Sequence, residues 1–430
     1  GFLLYRTHSL YSAAMTPASR VQAAIDILDG LAASRLPADR FIREFFRARR
    51  YAGSKDRAAV SERVYDVFRH RASFAWRMGS ETPRALVIAS LLKEGADVPS
   101  LFTGDGYGPA LLTDEEHART LVAPTEEPAP HIKGEYPEFL QSELTRAFGE
   151  DVALEMGAML ERAPVDLRVN TLKATRDGVL DVLRSEGFEA EATRYSPTTI
   201  RLPSTTRGLE QSKLFLDGAF EFQDEAAQVA VLLAQAKPNS RVLDLAAGAG
   251  GKSLALAAAM NNNGELTAHD IDEGRLRQIA PRAARAGVTI IQTHAGQKPP
   301  GRPYDLVLLD APCSGSGTWR RSPENKWRLT PERLDQLNAL QDMLLDQAAA
   351  RAAGKARIVY ATCSILPREN EDRIAAFLER HPAFKVIPAS EIWRESTGSR
   401  PPPGLGEFLK VTPLVDEMDG FFTAVLARSA

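Results

Sequence analysis

Residues Asp305–Trp327 read DLVLLDAPCSGSGTWRRSPENKW, and residues Arg357–Ser364 read RIVYATCS. The first stretch opens as an apolar run that stops at Asp310. Pro312, Cys313, Ser314, Gly315, Ser316 and Gly317 follow, in which little can be helical. The second is a similar apolar run that stops at Cys363. Short, nearly continuous apolar runs bounded by turn signals are how strands read when a sheet covers them on both faces. Both stretches therefore predict a buried strand that brings chemistry to the rim of a sheet. The first delivers an acid and a thiol, the second a thiol. The chain has two cysteines, and these are both of them.

The same pattern extends outward from Arg241. RVLDLAA (241–247), ELTAHDI (265–271), VTIIQTH (288–294), DLVLLD (305–310) and ARIVYATCS (356–364) read as strands. GGKSLALAAAM, EGRLRQIAPRAARAG, NEDRIAAFLERH and the long PERLDQLNALQDMLLDQAAARA, ended by Gly354, read as helices. Repeated strand–helix units predict a parallel sheet covered on both faces, the α/β class. EFLKVTP (407–413) and GFFTAVLAR (420–428) predict a closing antiparallel hairpin, which a plain dinucleotide fold lacks. Upstream, EFQDEAAQVAVLLA (221–234) predicts an amphipathic helix, and residues 163–203 a strand, a helix and two more strands. TEEPAPHIKGEYP (125–137) reads as a linker. Residues 17–95 predict helices, with a stripe at Val21, Ala24, Ile25, Leu28 and Leu31. Arg40–Arg71 holds ten Lys/Arg against four Asp/Glu with Phe and Tyr interleaved. That is either a solvated face over an aromatic core or a contact surface for RNA phosphates, and both can hold at once.

At 430 residues two or three domains are expected. No apolar run approaches the roughly 18 residues of a membrane helix. Two cysteines cannot build a disulfide framework, and seven scattered histidines offer no metal-ligand spacing, so no metal is expected. The cysteines are then buried apolar residues or active thiols in a reducing cytosol. A net charge of −3 leaves any nucleic-acid contact to local basic patches. GFLLYRTHSLYSAA (1–14) precedes Met15 and reads as an appended remnant or a mis-called start, with a short targeting segment as the alternative; the apolar core of a secretory signal is missing.

Between Asp244 and Ser253 lies DLAAGAGGKS, a strand end, a Gly-rich turn and a helix start. A phosphate-binding P-loop needs Gly where Ala246 stands, and a dinucleotide loop lacks its third Gly. An adenosyl group held by this loop, with Asp270 on its ribose hydroxyls, remains. In an open α/β sheet ligands sit beyond the carboxyl ends of the strands, where this loop, Asp310, Cys313 and Cys363 all belong.

DAPCSGSGTWRRSPENKW followed by VYATCSILPRENE, together with LRVNTLK (167–173), FQDEAAQ (222–228), DLAAGAGGKS, LKVTP and DGFFTAVLAR, resembles the RsmB/Fmu/Sun family of RNA cytosine-C5 methyltransferases over roughly residues 160–428. The resemblance implies a class I S-adenosylmethionine-dependent methyltransferase domain (221–430), a small α+β RNA-recognition-like unit before it (135–220) and a helical NusB-like domain (16–125). It implies Cys363 as nucleophile, Cys313 in product release, Asp310 in activation of the base and Lys252 beside methyl donor and base. The cofactor positions carried over are Ala246, Ala247, Gly248, Ala249, Gly250, Gly251, Lys252, Asp270 and Asp310. Two departures stand out: the family often has Cys-Ala-Ala-Pro-Gly-Gly-Lys at the loop, and an acid after the third strand where this chain reads HAGQ (294–297). Trp319, Trp327, Arg320, Arg321, Lys326 and Arg328 could read unstacked RNA, or the tryptophans could pack.

The expectation is a cytoplasmic monomer acting on RNA, ribosomal RNA favoured over transfer RNA because of the NusB-like extension. A catalytically silent RNA-binding or assembly factor of the same fold would not need Asp310, Cys313, Cys363 and Lys252. A DNA cytosine methyltransferase would use the Pro-Cys thiol alone.

Overall fold

A computed structural model describes residues 15–396 and 400–428. The segment 1–14 lies outside the described residues. The chain divides into two compact units. One takes in the described residues up to Glu138 together with Ser322–Trp327; the other takes in Phe139–Arg321 and the residues from Arg328 on.

The first unit is helical. Its main helices are Pro17–Ala32, Ala38–Arg47, Ser54–Arg69, Arg71–Met78 and Pro83–Lys93. Thr16 and Thr82 start two of them, each hydroxyl accepting from the third residue of the helix just ahead of a proline that needs no donor partner. Ile27, Val64, Val87 and Ile88 are fully buried, and Phe46 packs with them. Arg40 and Arg43 point outward and pair with Glu44 and Asp39 one turn away. Within the basic stretch, Phe46 thus faces in and Arg40 and Arg43 out, while Tyr51 is exposed and Arg69 buried. The predicted linker does not run free: Glu135 is buried and accepts from the backbone N–H groups of Ala72 at 2.8 Å and Ser73 at 3.2 Å. Ser322–Trp327 belongs to this unit, with Trp327 Nε1 donating to the Phe68 carbonyl at 2.6 Å.

The second unit contains two sheets. The smaller has β1 (Val165–Val169), β2 (Glu191–Ala192), β3 (Thr199–Leu202) and β4 (Phe220–Phe222) in the order β2-β3-β1-β4, all antiparallel. β4 was not anticipated. Phe220 and Phe222 pair with Val169 and Leu167, so the helix predicted from Glu221 starts at Glu225, where the Asp224 carboxylate caps it.

The larger sheet has β5 (Arg241–Asp244), β6 (Glu265–Asp270), β7 (Ile291–Ala295), β8 (Tyr304–Asp310), β9 (Ala352–Thr362), β10 (Phe384–Ile387), β11 (Leu409–Val411) and β12 (Phe421–Arg428). Its order is β10-β12-β9-β8-β5-β6-β7, with β11 on β12. β5 to β9 are parallel; β12 is antiparallel to β9, β10 and β11. The predicted α/β class and closing hairpin are both present. Two details differ. The helix Pro331–Arg351 gives way to β9 before Gly354, which lies inside the strand; and FKVI forms the edge strand β10, a run too short to announce itself. Among the described residues no helix is long and apolar enough to cross a membrane.

The turn after β8 is clamped by backbone. Gly317 N donates to the Cys363 carbonyl at 3.0 Å, and Gly420 N donates to the Gly317 carbonyl at 2.8 Å. A Cβ on Gly317 would fall 1.9 Å from the Gly420 oxygen, so only glycine fits. Gly317→Ala should lower stability by about 3 kcal/mol, seen as a drop in the urea midpoint. Gly301→Ala, whose Cβ would meet nothing within 4 Å, should stay within about 0.5 kcal/mol of the unaltered chain.

Candidate functional site

Chain order reverses between β5 and β8, the neighbours in the middle of the larger sheet, and a crevice opens beyond the strand ends at such a point. The Gly-rich turn leaves β5, Asp310 ends β8, and Cys363 follows β9 directly. Asp270 ends β6 one strand further along.

Gly248 and Gly250 take positive φ, +54° and +80°, which the turn into helix Gly251–Ala259 requires. Asp270 is buried and accepts from Gly248 N and Asp272 N, both at 2.8 Å. The turn and Asp270, linked in the sequence reading only by spacing, are thus in direct contact. Lys252 Nζ lies 2.6 Å from Asp310 Oδ2. Burial pulls the Lys252 ammonium down, but Asp310, with Cys363 and Asp244 near by, more than reverses this and holds its pKa above the ordinary lysine value. Phe421 packs beneath Lys252, its ring centre 5.4 Å from Nζ. Asp244 was not singled out from the sequence. It is fully buried, one oxygen accepting from Ser253 Oγ at 2.6 Å and the other without a partner. Burial first, then the nearby Asp310 and Asp270, push its pKa up to about 7. A lone acid closing an apolar strand is the signal that marks it.

Cys313 Sγ and Cys363 Sγ are 3.4 Å apart, and both are partly exposed. The bond from Cys363, burial and the nearby Glu369 carboxylate together push the Cys313 thiol well above the ordinary cysteine value. Glu369 also escaped sequence reading, although it stands within the ILPREN turn. It is fully buried behind both cysteines.

The aromatic and basic residues after Cys313 are mostly structural. Trp319 is buried at 1% exposure, and Trp327 packs in the helical unit. Arg320 donates to Asp419 at 2.6 Å; Arg321 pairs with Asp419 and with Asp224; Lys326 is 1% exposed. Stacking on RNA by these two rings is not what the packing supports. At HAGQ, the missing acid leaves a histidine pair: His269 Nδ1 is 2.9 Å from the His294 carbonyl, to which it donates, and 3.1 Å from His294 Nδ1. Burial lowers the pKa of His269.

Residues 230–427 match the family model described as 16S rRNA methyltransferase RsmB/F, and residues 136–207 match the RsmF/B-like ferredoxin-like domain. A Synechocystis protein named probable ribosomal RNA small subunit methyltransferase B is 32% identical over 301 residues, covering 68% of this chain and 67% of the relative. Ribosomal RNA small subunit methyltransferase B of Pectobacterium carotovorum is 34% identical over 304 residues, covering 68% and 66%. The matched part therefore spans about two thirds of those relatives' length. The crystal structure of PH0851 superposes with a TM-score of 0.74 at 24% identity over 96% of this chain and 99% of that one, a likeness of fold.

With only two cysteines in the chain, selective labelling at cysteine Cβ gives two carbon resonances. The one that disappears in Cys313→Ser should still report a thiol at pH about 8.5, where a free cysteine is half titrated. A midpoint at or below that pH would contradict the pairing of the two sulfurs.

Proposed function

The chain belongs to the RsmB/F family of 16S rRNA methyltransferases, and on that premise we propose that it methylates C5 of a cytosine in ribosomal RNA through a covalent bond between Cys363 and C6 of the base. The observation that carries the reading is the pair of thiols, 3.4 Å apart, with an ion pair between Asp310 at the end of β8 and Lys252 in the helix Gly251–Ala259.

C5 of cytosine is a poor nucleophile. When Cys363 Sγ bonds to C6, the ring becomes an enamine and C5 can attack an electrophilic carbon. Asp310, at the end of β8, is assigned to the N3 edge of the base, where a proton shared between its carboxyl group and N3 eases the addition. Once C5 carries the methyl group its proton leaves to a base, the S–C6 bond breaks and the ring is restored. Cys313, kept as a thiol in contact with Cys363, is assigned to that release. Lys252 stays an ammonium and orients Asp310. The base must leave any stack to reach the thiol, at about a few kcal/mol, which loop or single-stranded RNA reduces.

S-adenosylmethionine, when bound, supplies the electrophilic methyl group. Its adenosyl part is assigned to Ala246–Lys252 and Asp270, with Asp310 at the inner end. The fit rests on the positive-φ glycines Gly248 and Gly250, where a side chain would meet Arg275 and Ile279, and on the buried Asp270 carboxylate beside them. We further assign residues 16–125 to a NusB-like domain, 135–220 to RNA recognition and 221–430 to catalysis, in a monomer that works in the cytoplasm. The outward arginines of Arg40–Arg71 support the first assignment, though β4 carries the second unit's sheet past residue 220 to Phe222.

Cys363→Ala should reduce methyl transfer from labelled S-adenosylmethionine to small-subunit RNA by at least about 10³-fold. Cys313→Ala should form a protein–RNA adduct that survives denaturing electrophoresis. Asp310→Asn should cost about 10²-fold or more in kcat. Methylation that persists in Cys363→Ala would refute the assignment.

A further inference from the structure

Glu369 sits where neither cysteine can be described without it. Its side chain is fully buried. Oε2 accepts from Ser314 Oγ and from Ser364 Oγ, both at 2.5 Å. Oε1 accepts from Ser314 N at 2.8 Å and from Gln341 Nε2 at 3.1 Å. Ser314 is the residue after Cys313, and Ser364 the residue after Cys363. One carboxylate thus binds the immediate neighbours of both thiols, which come from segments fifty residues apart in the chain.

The carboxylate is itself held. The Glu369 carbonyl accepts from Tyr360 Oη at 2.6 Å, and Glu369 N donates to the Leu366 carbonyl at 2.9 Å. Asn370 fixes the Cys363 loop from its other side, donating to the Ser364 carbonyl at 2.9 Å and accepting from Thr362 Oγ1 at 2.6 Å. Gln341 also donates to the Pro312 carbonyl at 2.9 Å, so the turn before Cys313 is tied to the same point. The hydrogen-bond partners of Glu369 are all neutral. A buried carboxylate with neutral partners is expensive, and an apolar side chain could fill the space at less cost. What the carboxylate adds is several short, charge-assisted bonds that converge from two loops.

We propose that Glu369 is a positioning residue for both thiols, its carboxylate yoking the Cys313 loop to the Cys363 loop and so setting the separation at which one sulfur bonds to the base and the other assists release. The proposal rests on the cytosine-C5 reading above. The same carboxylate adds to the burial that keeps Cys313 a thiol. In Glu369→Gln size and shape persist, but the amide nitrogen cannot accept: at the Oε2 position it leaves both serine hydroxyls without their acceptor, and at the Oε1 position it leaves Ser314 N and Gln341 Nε2 without theirs.

Dibromobimane becomes fluorescent when it bridges two thiols a few ångströms apart, and this chain has only these two. The unaltered full-length chain should cross-link, and Cys313→Ser or Cys363→Ser should not. Glu369→Gln should cross-link about tenfold more slowly, while in the Cys313→Ser background the same change should leave the iodoacetamide rate of the remaining Cys363 within about twofold. The kcat of Glu369→Gln should fall by at least about tenfold with KM for RNA little changed, and adduct with RNA should accumulate. If Glu369→Gln does not fold, Ser314→Ala and Ser364→Ala serve in its place. Their effects on cross-linking should be coupled, and strict additivity would overturn the yoke. Unaltered cross-linking and turnover in Glu369→Gln, or a loss that only tracks the unfolded fraction, would overturn it too. Absence of RNA methylation by the unaltered chain, with cross-linking that still depends on Glu369, would overturn the methyl-transfer reading and leave the yoke between the thiols in place.

Discussion

The parallel pairing of β8 with β9 governs the rest of the site. Asp310 lies opposite Ala361, so the two strands end side by side and in the same direction. Three residues beyond Asp310 is Cys313, and two beyond Ala361 is Cys363. Neighbouring strands are about 4.8 Å apart. Two short exits across that gap bring the sulfurs to 3.4 Å, whatever the sequence distance between them. Parallel strands need a crossover, and here it is the helix Pro331–Arg351. That helix is more than a connection: its Gln341 reaches back to Pro312 and Glu369, so the element that makes the pairing possible also braces what the pairing delivers.

The second constraint is charge. Asp244, Asp270 and Asp310 end three adjacent parallel strands, and Lys252 lies among them. Lys252 and Asp310 offset one another at 2.6 Å, and Asp270 is satisfied by backbone donors. Asp244 has neither a cation in contact nor a donor for its second oxygen. Moving its pKa from 3.8 to about 7 corresponds to about 4 kcal/mol of lost stability once it is ionised. The loss is absent at low pH, where folded and unfolded chains are both protonated, and grows as pH rises from about 4 toward about 7. A fold that keeps such a group beneath its Gly-rich turn is less stable than it could be, a pattern expected where groups serve a ligand rather than the core.

What could be read from the sequence was what the chain makes local. Buried parallel strands announce themselves as apolar runs, and a residue at the end of such a run must lie at the sheet edge; Asp310, Cys313 and Cys363 were found that way. Asp270 followed from a turn and a spacing, and Lys252 from the family resemblance alone. Asp244 and Glu369 escaped because their roles depend on partners far away in the chain: Asp244 on the acids of neighbouring strands, Glu369 on a serine from another loop. Trp319 and Trp327 were undecided for a different reason. A ring that stacks on a base and a ring that fills a core have the same composition signal, and only burial separates them. β4 and β10 were missed because three or four residues carry no period.

The two cysteines show how identical side chains acquire different chemistry. Roles are assigned where environments push paired titratable groups apart. Cys313 leaves its strand through Pro312, and its proton is held by the neighbouring Cys363 sulfur, by burial and by the nearby Glu369 carboxylate. The Cys363 sulfur lies on the side of the Lys252 ammonium, close enough to contribute to its raised pKa. A negative sulfur is favoured beside the ammonium and disfavoured beside the carboxylate. The thiol in the more conspicuous motif is therefore the one suited to hold a proton, and the one at the bare strand end is suited to attack.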